Sequence, residues 1–103
     1  TELFKRRSNL SDAYLYRGNA FFNIGNYQNA LLDYSHLLSL KAGNVKALKA
    51  RGLTYYQLGN YELAKKDLDI AKSKGEYVEP QVMIDISKKL KILLLRRQLC
   101  LFI

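Results

Sequence analysis

Residues 17–34 read RGNAFFNIGNYQNALLDY and residues 51–68 read RGLTYYQLGNYELAKKDL, one phrase written twice at an offset of 34 residues. Arg17/Arg51, Gly18/Gly52, Gly25/Gly59, Asn26/Asn60, Tyr27/Tyr61, Ala30/Ala64 and Asp33/Asp67 are identical pairs. A fixed period of this length marks stacked structural units, each too small to bury its own apolar face. Apolar residues recur at helical spacing over 11–24 and 27–40, and again near 45–58 and 61–74. Each unit therefore reads as two helices joined by a tight turn. Ser11 or Asp12 is the expected N-cap of the first helix. Gly25-Asn26 and Gly59-Asn60 stand where glycine can take the left-handed conformation that ends a helix.

The small residues set the packing. Gly18 and Ala30 fall on facing helices, as do Gly52 and Ala64. Glycine inside a helix costs about 1 kcal/mol relative to alanine, so close packing must offset Gly18 and Gly52. Tyr14, Phe21, Tyr27 and Tyr34 are expected to fill the space around the first contact, and Leu48, Tyr55, Tyr61 and Leu68 around the second. Buried tyrosines serve as apolar bodies whose hydroxyls reach solvent or a partner. The recurrence of Asp33 and Asp67 points to structural pairing with a nearby Lys or Arg.

These residues resemble the tetratricopeptide repeat. Gly18, Phe21, Gly25, Tyr27, Ala30 and Tyr34 match its pattern in the first unit, and Gly52, Tyr55, Gly59, Tyr61, Ala64 and Ala71 in the second. Tyr14 and Leu48 hold the place of the family's usual Trp or Leu. Ala42 and Glu76 stand where a closing Pro is often found, and Leu37 stands at the late small position of the first unit. The resemblance implies an all-α fold, a right-handed α-α superhelix of about five helices. Its divisions would be a lead-in over 1–10, repeats over 11–44 and 45–78, and a capping helix with an apolar tail over 79–103. Pro80 suits the first turn of that last helix, where its missing N–H costs nothing. Val82, Ile86, Leu90, Leu93 and Leu94 give it one apolar stripe, while Ile84, Ile92, Leu95 and Leu99 give it a second. Arrays of this kind need about three units. Two units, a doubly apolar last helix and a first residue that is Thr rather than Met together suggest a larger parent protein or a homo-oligomer formed through residues 80–103.

Composition narrows the function classes. The chain has 103 residues, a net charge of +8 and one Cys, so one domain at most is expected and no internal disulfide can form. The longest apolar run, Ile92–Leu95, is stopped by Arg96 and Arg97, so no membrane-spanning helix is expected and a cytoplasmic location is. The positive charge gathers at Lys5-Arg6-Arg7, over Lys41 to Arg51 and over Lys88 to Arg97. It favours anionic partners without naming one. His36 is the single histidine, and no nucleophile–base pair, metal-ligand cluster or phosphate-binding glycine loop can be read. The expectation is a non-enzyme without cofactor or metal.

What remains is a binding surface. The family resemblance implies that the first helices of successive units line a concave face. On it would lie Asp12, Tyr16, Asn19 and Asn23 from one unit, and Lys46, Lys49, Leu53, Tyr56 and Gln57 from the next. Amides can bond an extended peptide's backbone, lysines can take a carboxylate, and tyrosines supply rigid apolar area. The leading reading is thus an adaptor or scaffold that holds an extended peptide of another protein, one acidic or ending in a carboxylate being the best fit. A second reading is a co-chaperone. Some tetratricopeptide proteins hold a heat-shock chaperone's C-terminal carboxylate in a clamp of lysines, asparagines and an arginine. Asn19 and Lys46 match clamp positions, whereas Leu15 and Ala50 replace a lysine and the arginine. Other readings are nucleic-acid binding through the basic surface, and membrane attachment by prenylation of Cys100 in the ending Cys100-Leu101-Phe102-Ile103.

Overall fold

Each short helix begins at an asparagine. The Asn26, Asn44 and Asn60 side chains accept hydrogen bonds from the backbone N–H groups of Asn29, Ala47 and Leu63 at 3.3, 3.0 and 3.5 Å. Each bond satisfies one of the N–H groups a helix start leaves unpaired. From these caps run α2 (Tyr27–Leu40), α3 (Val45–Gln57) and α4 (Tyr61–Ser73). They are preceded by α1 (Glu2–Asn23) and followed by α5 (Pro80–Phe102). The computed structural model describes the backbone of residues 2–102 and the side chains of residues 10–101, and among these residues it is entirely helix and turn. The expected cap at Ser11 or Asp12 is not where the first helix starts. The helix runs unbroken from Glu2, and Ser11 is buried in its middle, where a cap has no orphan donors to satisfy.

The turns form as expected. Gly25 and Gly59 have φ of 83° and 82°, and in each turn the N–H groups of the Gly and the following Asn bond back to carbonyls of the preceding helix. Gly75 ends α4 the same way, with φ of 93°. A pair of rings clasps each of the first two turns edge to face: Phe22 on Tyr27 with centroids 5.2 Å apart, and Tyr56 on Tyr61 at 6.1 Å.

The chain folds back at every turn, so consecutive helices lie side by side: α1 on α2, α2 on α3, α3 on α4, α4 on α5. The close approaches differ in detail from the Gly–Ala facing expected from sequence. A Cβ on Gly18 would lie 2.7 Å from Tyr34 Cε1, and one on Gly52 would lie 2.8 Å from Leu68 Cγ. The glycines thus admit the large buried residues Tyr34 and Leu68, while Ala30 and Ala64 are fully buried one turn away. Two apolar clusters result. Leu37, Leu38, Ala47, Leu48 and Ala71 join α2 to α3 and α4, with Tyr14 and Leu15 packed at the edge. Ala64, Leu68, Val78 and Ile86 join α4 to α5, with Tyr55, Tyr61 and Leu90 around them.

One ion pair is built twice. Arg17 Nε and Nη2 donate to Asp33 at 2.8 and 2.7 Å, and Arg51 Nε and Nη2 donate to Asp67 at 2.7 and 3.0 Å. Both carboxylates are buried, and the two-pronged geometry matches the planar guanidinium to them. The pairing anticipated from the recurring aspartates is therefore present in both units. The molecule is elongated, with extents of 64, 27 and 22 Å, and its first and last helices, of 22 and 23 residues, are the longest.

Candidate functional site

Four of the residues expected on a concave face come together at one cavity. α3 turns Lys49, Leu53, Tyr56 and Gln57 into a cleft of about 240 Å³. Its opposite wall comes from the segment between α4 and α5, with Tyr77, Val78 and Glu79, and from Val82 in the first turn of α5. Phe22 of α1 also lines it. Four of the nine predicted peptide-contacting residues are thus gathered at one place.

The other five are not in that cleft. Asp12, Tyr16 and Asn23 lie exposed along α1, and Lys46 lies exposed one turn before Lys49 on α3. Asn19 has a structural partner, since its Oδ1 accepts a hydrogen bond from the Tyr34 hydroxyl at 2.5 Å. This bond fixes the amide's orientation on α1 and leaves its N–H₂ group as the available donor. Burial, with Asp33 alongside, pushes the Tyr34 phenol up to about 12, so it stays a donor at ordinary pH.

Local contacts hold the cleft's polar groups in place. Tyr56 Oη donates to Asp85 Oδ2 on α5 at 2.7 Å, which holds the phenol's pKa above its ordinary value. Lys49 Nζ lies 3.7 Å from Glu76 in the segment after α4. Outside the cleft, the Arg51 guanidinium, held by its hydrogen bonds to Asp67, has its pKa raised and lies beside the Tyr55 ring, 5.8 Å from the centroid. The cleft combines an ammonium, an amide, a carboxylate and aromatic edges. It is smaller than the roughly 300–1,000 Å³ of small-molecule sites, and its size suits one or two side chains of a chain lying across it.

Tyr77, Val78, Glu79 and Phe22 were not anticipated. Residues 76–79 carry no helical periodicity and straddle the boundary between the second repeat and the capping helix, and Phe22 stands next to Phe21, the aromatic that matches the repeat pattern. No sequence signal placed the segment after α4 opposite α3.

The remaining candidates sort by position. His36 stacks on Tyr14, centroids 5.4 Å apart and planes 13° apart. Among the described residues, no three or more His, Cys, Asp or Glu side chains converge as metal ligands, and no helix is long and apolar enough to cross a membrane. Leu15, at the place of a clamp lysine, is partly buried and packs against the α2–α3 cluster. Cys100 is exposed near the end of α5, while Ile103, the last residue of the lipidation reading, lies outside the described residues, as do the side chains of Lys5, Arg6 and Arg7. Comparison with protein-family models, with curated proteins and with solved structures finds no match to this chain.

Proposed function

We propose that this chain is a non-catalytic protein-interaction module, similar in plan to a tetratricopeptide array, that holds an extended peptide segment of a partner protein along α3 and the adjoining face of α1. The observation that carries the reading is the cleft formed by Lys49, Leu53, Tyr56 and Gln57 against Tyr77 and Val82. A lysine, an amide and aromatic edges held on rigid helices recognise a peptide's carbonyls, carboxylates and apolar side chains together. The two helix pairs, built on the same Arg–Asp pair and the same glycine turn, support the family resemblance. The exposed amides of Asn19 and Asn23 and the Lys46 ammonium extend the surface beyond the cleft.

The co-chaperone reading has less support, since Leu15 packs against the edge of the α2–α3 cluster and Asn19 Oδ1 is engaged by Tyr34. A peptide array probed with the intact chain tests the proposal. Lys46→Glu with Lys49→Glu is expected to weaken acidic and carboxylate-ended hits about tenfold or more, a change of ~1.4 kcal/mol. Gln57→Ala, which removes an exposed amide without disturbing packing, is expected to weaken hits of every charge. If every detected interaction survives both variants unchanged, the groove assignment is wrong. A salt titration distinguishes nucleic acid, whose phosphate contacts give a steep linear loss of log affinity with log salt.

A further inference from the structure

The 23 residues of α5 span about 35 Å, against about 20 Å for the 13 of α4, so α5 extends beyond the helix it packs on. One stripe runs its length at heptad-like spacing: Met83, Ile86, Leu90, Leu93, then Arg97 and Leu101. The first half is covered, with Ile86 fully buried and Met83 and Leu90 packed against the α4 cluster. The second half is not. Leu93, Leu94 and Leu101 are 45%, 59% and 84% exposed. With Leu90 they line a cavity of about 750 Å³, with Arg96 and Arg97 also in its walls and Glu62, from the first turn of α4, lining it too. Ile92, Leu95 and Leu99 form a second exposed apolar stripe on the opposite side. A helix apolar on both sides is one that an assembly buries.

We propose that the outer half of α5 is a docking surface for an acidic amphipathic helix of a partner protein. Charge decides the occupant. From Ile86 to Leu101 the chain carries five Lys or Arg residues and no acidic one. A second copy of this chain would bring two such cationic sets within a Debye length, on molecules each carrying +8. A flat anionic bilayer meets a helix whose apolar side chains share one face and whose cations share the other. Here Arg96 and Arg97 interrupt the apolar stripes, and the cavity is concave. A rod of leucines flanked by glutamates satisfies both features: apolar side chains enter the cavity, and carboxylates meet the arginines at its rim. This surface is distinct from the α3 cleft and stands or falls separately from it.

The probe is a labelled helix-forming peptide of about 20 residues with leucine at the a and d positions and glutamate elsewhere, compared by fluorescence anisotropy with its lysine counterpart. The glutamate peptide is expected to bind at least about tenfold tighter than the lysine peptide. Leu93→Asp with Leu94→Asp alters two exposed residues and keeps every cation, and is expected to abolish that binding with unchanged circular dichroism. Arg96→Glu with Arg97→Glu is expected to invert the preference. Equal binding of the two peptides, or undiminished binding by the leucine variant, overturns the proposal. So does light scattering that gives twice the 11.9 kDa chain mass for the parent and the single mass for the leucine variant, which assigns the face to a second copy. Adsorption to phosphatidylserine vesicles without binding of the glutamate peptide overturns it in favour of a membrane.

Discussion

The two Arg–Asp pairs look interchangeable, yet their surroundings differ. The Arg17 side chain is 61% exposed and the Arg51 side chain 24%, while both carboxylates are buried. Removing either arginine leaves a buried carboxylate without its main partner, but solvent reaches the first site more readily. Arg51→Ala is therefore expected to destabilise by about 2 kcal/mol, the range for a hydrogen bond to a charged group, and Arg17→Ala by clearly less. Urea denaturation of the two variants checks the order. Tyr34 makes a pH prediction. Its phenol is pushed up to about 12 in the folded chain, by burial first and Asp33 second. The folded state favours the neutral form, so this contribution is full below the ordinary tyrosine value of about 10 and is lost as pH rises from there through about 12. Stability is expected to fall across that window, and Tyr34→Phe to remove its share of the fall.

At the scale of the element, helix starts and close approaches dominate. Asn44 caps α3 with the shortest of the three asparagine bonds, 3.0 Å, and Asn60 caps α4 with the longest, 3.5 Å. Asn44→Ala is expected to cost about 1 kcal/mol and Asn60→Ala less, as read from thermal melts. Gly52→Ala sets helix propensity against packing. The methyl gains about 1 kcal/mol of propensity but meets Leu68 Cγ at 2.8 Å and Cδ2 at 2.9 Å, in the middle of a buried cluster. Overpacking of this kind costs roughly 1–3 kcal/mol, so a net loss of stability is expected. A result at or above the parent's stability would mean that Leu68 repacks freely. The turns and the α2–α4 boundaries were legible because glycine, asparagine and helical periodicity are local signals. The start of α1 was not, because Ser11 and Asp12 resemble a cap wherever they occur, and only the structure shows the helix running through them from Glu2.

At the scale of the whole molecule, the two surfaces proposed as binding sites differ in chemistry. The α3 cleft is small and mixed, with Lys49, Glu79 and Gln57 among its lining. The outer half of α5 is larger, apolar and basic. Variants in one are expected to leave binding at the other unchanged, since no side chain lines both cavities and effects at separate sites without shared partners add. Assaying Gln57→Ala against the glutamate peptide, and Leu93→Asp with Leu94→Asp against array hits, checks this independence. A cross-effect in either direction would show that one ligand spans both surfaces.

The sequence by itself determined helices α2 to α4, the turns between them and the pairing of Asp33 and Asp67 with a basic residue, because these follow from period, backbone conformation and identical residues spaced 34 apart. It also named Lys49, Leu53, Tyr56 and Gln57, which share one side of α3. Only the tertiary structure decided that Tyr77 and Val82 face them, that Gly18 admits Tyr34 in place of a small neighbour, and that α5 outruns α4. Those are facts about how elements meet. They depend on helix lengths and on the path of an aperiodic connection, which no local pattern encodes.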